Sequence, residues 1–178
     1  TKGIVFVTGE LARRTRLEGV RATVISNGYV FDTALLPGHV DRAGRAGIIF
    51  VGSPDQAWHG VDKVLKMAEA LHEFDFHLVV PGFMAAGPKN LICHGQLIGA
   101  ELNGLYKRMS VAIGSLALHR KGMGEACPLK CREYAANGLP MIAGYKDSDL
   151  SGASYYLELE NTESNVENAI HRIREFVI

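Results

Sequence analysis

The chain has 178 residues, 47% of them hydrophobic, with 19 basic and 19 acidic side chains. That size and apolar content fit one globular domain and exclude a disordered chain. The balanced charge excludes the broad electrostatic footprint of a nucleic-acid binder, though not a local basic site. No apolar run approaches the ~20 residues of a membrane span, and no signal peptide is visible. The chain opens on Thr1 and directly on a strand-like run, which reads as a piece of a longer protein. Cys93, Cys127 and Cys131 are odd in number, and the C-x3-C pair has no second pair to complete a zinc site. All three are expected as reduced thiols of a cytoplasmic protein.

In chain order, residues 3–8 form an apolar run read as a buried strand, 10–18 a charged surface helix and 22–26 a second strand. Asn27-Gly28 then makes a turn, since both residues tolerate positive φ. Residues 32–46 carry Pro37, Gly38 and Gly44 without an apolar period, and read as a linker. From Gly47 the grammar is regular. Ile48 to Val51 is a strand closed by Gly52, and Val61, Val64, Leu65, Ala68 and Leu71 recur at helical spacing. Strands follow at 76–80, 90–94 and 111–114, with a helix face at Leu102, Leu105, Tyr106 and Met109 between the last two. Pro128 suits a first helical position, Gly138 a C-terminal cap, and Pro140 blocks continuation. Strands at 139–143 and 155–159 and a helix over 166–176 close the chain.

Strands alternating with helices predict an α/β fold, a Rossmann-like parallel sheet with helices on both faces. Such sheets bind ligands at the carboxyl ends of their strands. Those ends are the loops after Val51, Val80, His94 and Ile113, and the turn before the helix at Pro128. There Glu125 and Glu133 flank seven residues. The spacing alone means little, because Glu10/Glu18 and Glu167/Glu175 share it on helices read as solvated. Context separates the third pair. Backbone N–H groups of Leu129 and Lys130 would lie in a first helical turn, free to point at an anion. Lys130 adds a mobile positive charge. Glu133 could accept from the two hydroxyls of a ribose, and Glu125 could face a sugar beyond the phosphates. The bland alternative remains open: Glu125 as an N-terminal helix acid, Lys130 and Glu133 as surface charges.

The run from Glu125 to Pro140, EACPLKCREYAANGLP, resembles the E-x7-E region of glycosyltransferase family 4, whose members have the two-Rossmann-domain GT-B fold. Three more blocks resemble that family in order: Val24 to Gly28, the strand and turn leaving the N-terminal domain; Ile49 to Gly52 with Trp58 to Asp62; and Asn90 to Gly95 with Glu101 to Tyr106. The likeness covers roughly residues 20–145, and four blocks in order are more specific than any one motif.

The resemblance implies residues 1–45 as the tail of an acceptor-side domain plus linker, and 46–178 as the donor-binding domain of a retaining, metal-independent transferase using a nucleotide-diphosphate sugar. Glu125 would contact the transferred sugar and Lys130 the diphosphate. Glu133 would hold the ribose, Gly52 would admit a close backbone approach, and the Gly95-Gln96-Leu97 turn would frame the base. Pro128 and Leu129 would complete the cradle. Many members carry an Arg and a Lys in the loop after the first glycine; here that stretch is Ser53 to His59, with His59 near the usual lysine. No resident cofactor and no metal are implied. Partners would be the nucleotide sugar and a saccharide or lipid-linked acceptor, in polysaccharide or glycoconjugate synthesis, with peripheral membrane association of the whole protein and no nucleic acid. The isolated chain would turn over poorly. A non-catalytic nucleotide-sugar-binding module and a sugar-nucleotide epimerase remain alternatives. Trp58 reads as core packing or a base platform, His119-Arg120-Lys121 as a solvated loop or an anion contact, and Asp147 and Asp149 as a polar loop.

Overall fold

The computed structural model describes residues 3–15, 18–30, 44–84 and 86–178. The expected linker falls outside them except for its last three residues, 44–46. Strand β1 (Gly3–Phe6), helix α1 (Gly9–Arg14) and strand β2 (Arg21–Val24) form a small parallel unit. Thr8 starts α1 by accepting the Leu11 N–H on its side-chain oxygen at 3.2 Å, an N-cap. Then come β3 (Gly47–Val51), α2 (Val61–Ala70), β4 (Asp75–Val79), β5 (Leu91–Cys93), α3 (Gly99–Tyr106) and β6 (Val111–Ile113). The chain continues through β7 (Glu125–Ala126), α4 (Leu129–Ala136), β8 (Met141–Ala143), β9 (Lys146–Asp147), β10 (Tyr156–Glu158) and α5 (Asn165–Val177).

The main sheet has six strands in the order β10-β8-β6-β3-β4-β5, all parallel. Alternation along β3 builds the layers. Ile48 and Phe50 face a core closed by Val64 and Met67 of α2, its C-cap Leu71, and Val166, Ala169 and Ile173 of α5. Ile49 faces the opposite core, closed by Leu102 and Leu105 of α3 and Tyr134 of α4. The predicted α/β sheet with helices on both faces is therefore observed. The chain runs outward from β3 through β4 to β5, then returns to β6 on the other side. That reversal beside β3 is the topological switch point, where open α/β sheets bind ligands.

Five local features depart from the sequence expectation. The first strand, expected to be buried, is exposed to half-buried along its length, with Val5 59% exposed, because it pairs only with β2 in a two-stranded sheet. Pro128 is the N-cap of α4 in an extended conformation, and Leu129 is the first helical residue. Proline's fixed φ serves either position, but Pro128 keeps an extended ψ of 144°. Glu125 lies in a two-residue strand paired with β9, not in an open loop. Asn90 is no strand residue: it is buried, and its side-chain amide caps the end of α2 by donating to the carbonyls of Ala68, Leu71 and Phe74. Asp147 is fully buried rather than part of a polar loop, because it pairs with Arg132.

Gly144 follows β8 at a close approach between backbone segments. A Cβ there would sit 2.7 Å from the Leu116 carbonyl oxygen and 2.6 Å from the Asn165 amide nitrogen. Asn165 Nδ2 donates to that same carbonyl at 3.0 Å, so neither atom can move freely. Gly144→Ala is expected to destabilise the fold by about 2 kcal/mol through overpacking. Urea unfolding showing no shift in midpoint would contradict this close approach.

Candidate functional site

The site is built around the last residue of β3. Val51 donates its N–H to the Tyr134 hydroxyl at 3.0 Å, and its carbonyl accepts from Lys130 Nζ at 3.3 Å. Lys130 and Tyr134 are one helical turn apart, so α4 straddles the end of the central strand with one side chain on each backbone group. Lys130 Nζ also stands 4.4 Å from the centre of the Phe50 ring. It has no acidic partner within ion-pair distance among the described residues. Burial lowers its pKa to about 8. The N–H groups of Leu129 and Lys130 open α4 with no acceptor one turn back, and they add positive potential beside the lysine.

Glu133 lies next to Lys130 on the same helix. It is half-buried and accepts no hydrogen bond of good geometry among the described residues. Burial pushes its carboxyl up, and the nearby Tyr106 hydroxyl pulls it partly back. A half-buried cation and a half-buried anion thus sit on one helix face, neither committed to an internal ion pair.

Gly52 continues β3 under this face and donates its N–H to the Val79 carbonyl at 3.0 Å. A Cβ on Gly52 would fall 2.6 Å from the Phe50 ring and 3.0 Å from His59 Nδ1. His59 is buried against Trp58, ring centres 4.1 Å apart. Burial first, then the Lys130 charge, lower its pKa to about 4. His59 is consequently neutral at pH 7 and supplies ring nitrogens rather than a permanent charge. Gly95 takes a left-handed φ of 66° with open space around it. Leu97 packs on the α3/α4 core, and Leu129 is 61% exposed at the start of α4. The preceding His94 ring stacks on His77, with Nε2 2.9 Å from the His77 Nδ1.

Glu125 has a partner that sequence spacing did not reveal. Its carboxylate accepts the Glu10 N–H at the start of α1, at 2.5 Å. The Glu10 carboxylate in return accepts the N–H groups of Gly124 and Glu125, at 2.8 and 2.7 Å. Against the burial that would raise it, these amides and Arg14 hold the Glu10 carboxyl below its ordinary pKa. The two glutamates cap each other's backbones across 115 positions of sequence. Beside them Asn27 is clasped to the start of α4. Its side-chain amide donates to the Cys127 carbonyl at 2.6 Å, its N–H to Cys127 Sγ at 3.1 Å, and its carbonyl accepts from Arg132 Nε at 3.1 Å.

A largely apolar cavity of about 200 Å³ lies between the α1 unit and the start of α4, lined by Val7, Leu11, Trp58, Met123 and Pro128 among others. Of the basic cluster, Arg120 is committed to Asp62 and Glu163, and His119 bonds Glu163 at 2.7 Å. Lys121 rests 4.3 Å from the Trp58 ring centre, so Trp58 is a packing residue with a cation on its face. The three cysteines are free, and no helix among the described residues is long and apolar enough to cross a membrane.

No protein-family model matches the sequence, and no curated protein matches it. Solved structures do match its fold. TarM superposes with a TM-score of 0.69 at 14% identity, over 98% of this chain and 36% of that one. Sucrose-phosphate synthase from Thermosynechococcus elongatus does so with a TM-score of 0.69 at 16% identity, over 96% of this chain and 48% of that one. The C-terminal domain of the group 1 glycosyl transferase LpcC from Francisella tularensis gives 0.57 at 13% identity, over 83% of this chain and 88% of that domain. The chain spans less than half the length of the first two. Its six-stranded sheet and flanking helices have the fold of the C-terminal Rossmann-like domain of a GT-B glycosyltransferase.

Proposed function

We propose that the chain is the donor-binding portion of a retaining glycosyltransferase that uses a nucleotide-diphosphate sugar. The observation that carries this reading is the pair Lys130 and Glu133, uncommitted opposite charges side by side on α4 at the switch point of the sheet. Lys130 and the first-turn amides of α4 take the diphosphate, and their fixed positive potential offsets the charge that grows on the leaving group without a metal. Glu133 takes the ribose diol. Gly52, with His59 beneath it, lets the sugar end of the donor approach the strand. The turn at Gly95 and Leu97 frames the base, and Pro128 and Leu129 border the phosphates. Glu125 stands at the sugar side, where a sugar hydroxyl competes with the Glu10 N–H for its carboxylate.

Residues 1–45 belong with an acceptor-side domain in this reading. The support is the two-stranded β1–β2 unit, which leaves Val5 and Ile25 each 59% exposed. A saccharide or lipid-linked acceptor would be bound there, for polysaccharide or glycoconjugate assembly by a cytoplasmic protein that visits the membrane surface. A non-catalytic nucleotide-sugar-binding module is the second reading. It is favoured by the engagement of Glu125 with α1 and by the neutrality of His59.

Calorimetric titration with UDP, GDP and ADP sugars tests the donor site. One of them is expected to bind, and Glu133→Ala is expected to weaken it about 10–100-fold by removing charge-assisted hydrogen bonds to the ribose. Unchanged affinity in that variant would refute the ribose role. Tight donor binding with no transfer or donor hydrolysis, even with the complete acceptor-side domain present, would favour the second reading.

A further inference from the structure

The Tyr106 side chain, in the last turn of α3, is 1% exposed, and its hydroxyl has no hydrogen-bond partner among the described residues. A buried hydroxyl left without a partner is unfavourable and uncommon in native structures. Its ring is fixed edge-on against Tyr134, centres 5.8 Å apart at 80°, and Tyr134 is itself tied to Val51. Side chains on a helix lean toward its N-terminus. Since α3 runs antiparallel to the strands, Tyr106 leans toward the carboxyl end of the sheet. There its hydroxyl lies near enough to the Glu133 carboxylate for each to shift the other's pKa. Burial, then the Glu133 charge, hold the Tyr106 phenol well above its ordinary pKa, so it remains a donor. A fixed donor and an uncommitted acceptor therefore adjoin without a closed hydrogen bond between them.

We propose that Tyr106 is the positioning residue for Glu133, donating to one carboxylate oxygen when a ribose diol engages the other, and so setting the preference for ribonucleotides over deoxyribonucleotides. This inference rests on the donor-site reading above. A free carboxylate rotates about its last bond and pays that freedom on binding; one oxygen held by Tyr106 leaves the other aimed. The phenol touches no ligand, and its effect passes through Glu133 alone. A 2′-deoxy ligand presents only one hydroxyl and gains less from the aimed oxygen.

The test is titration of the full chain, wild type and Tyr106→Phe, with UDP, GDP and ADP and with their 2′-deoxy counterparts. The wild type is expected to prefer the ribonucleotide about 10-fold, one hydrogen bond's worth. In Tyr106→Phe that preference is expected to fall to about 2-fold, because ribonucleotide binding weakens more than deoxynucleotide binding. The variant removes one buried oxygen and should melt at the wild-type temperature or above. Equal weakening of both nucleotide types would reduce Tyr106 to a packing residue and overturn the proposal, as would an undiminished ribose preference. No binding of any nucleotide to the wild type would instead sink the donor-site reading itself, before the variant is compared.

Discussion

Lys130→Met is expected to abolish tight binding of the nucleotide diphosphate while making the protein more stable. Lys130 is half-buried and has only the Val51 carbonyl and the Phe50 ring against its ammonium group. Burial lowers its pKa from 10.5 to about 8. Each pKa unit corresponds to about 1.4 kcal/mol between the two protonation states. Charging Lys130 in the fold therefore costs up to about 3 kcal/mol, less whatever partial exposure returns. The sign follows from proton counting. Between the folded and unfolded pKa values the unfolded chain binds more protons, so this contribution makes stability rise with pH across that window. Below pH 8 both states are charged and the full penalty applies. Methionine keeps the stem and removes the charge, so a gain of about 1–2 kcal/mol at pH 7 is expected, or roughly 2–8 °C in Tm for a chain of this size. Loss of a charge-assisted phosphate contact should weaken nucleotide binding about 100-fold.

The same chemistry gives a pH signature. A bound diphosphate needs the ammonium form, so binding takes up a proton above pH 8 and wild-type affinity falls there by up to about 10-fold per pH unit. Titrations at pH 7 and 9, with melting curves at both, check all three statements. A Lys130→Met protein that melts lower than wild type, or binds as well, would refute the assignment of this lysine.

Asp147→Ala is expected to be the most damaging change outside the hydrophobic core. Asp147 is completely buried and receives two hydrogen bonds from Arg132, at 2.8 and 3.0 Å, while Arg132 is 8% exposed. Asp147 also accepts the Leu150 and Asp149 N–H groups and so shapes the turn after β9. Removing it leaves a buried guanidinium whose remaining acidic partner is the partly exposed Asp149. Breaking a buried pair by deleting one partner costs about 3–5 kcal/mol. For this chain length that is roughly 6–20 °C in Tm. Replacing both members, Arg132→Met with Asp147→Leu, should recover a large part, because no charge is then stranded. Guanidinium unfolding of the two variants is the check. A single-variant loss below about 1 kcal/mol would mean that solvent reaches the pair.

What the sequence made legible was local. The spacing of Val64, Leu65, Ala68 and Leu71 marked α2, and Pro128 with Gly138 bracketed α4 to within a residue. Glycine and proline punctuation placed the strands of the main sheet, because turns and caps depend on neighbouring residues only. Their alternation with helices predicted a parallel sheet, but the order of the strands within it was not legible. The charged network was not legible. Arg132 and Asp147 are 15 positions apart, on a helix and a two-residue strand. Lys63 carries no sequence mark of burial, yet it is fully buried, donating to the Thr162 carbonyl and Asn165 at 2.7 and 2.9 Å. Glu10 and Glu125 carry no mark of each other. Such pairings are decided by where the finished fold brings side chains together, and no local period encodes them. The candidate site shares this property: Lys130 and Glu133 were identifiable as residues, but their lack of an internal ion pair among the described residues exists only in three dimensions.

The clasp of Asn27 on α4 has a mechanical consequence. Arg132, which holds the Asn27 carbonyl, lies two residues from Lys130 and one from Glu133 on a single rigid helix. A rotation of the β1–β2 unit would pull on Arg132 and be transmitted, as through a lever with a very short arm, to the side chains facing the end of β3. Under the proposed function, a hinge motion between the two units and the grip of α4 on a diphosphate would be one displacement seen from opposite sides of the same helix.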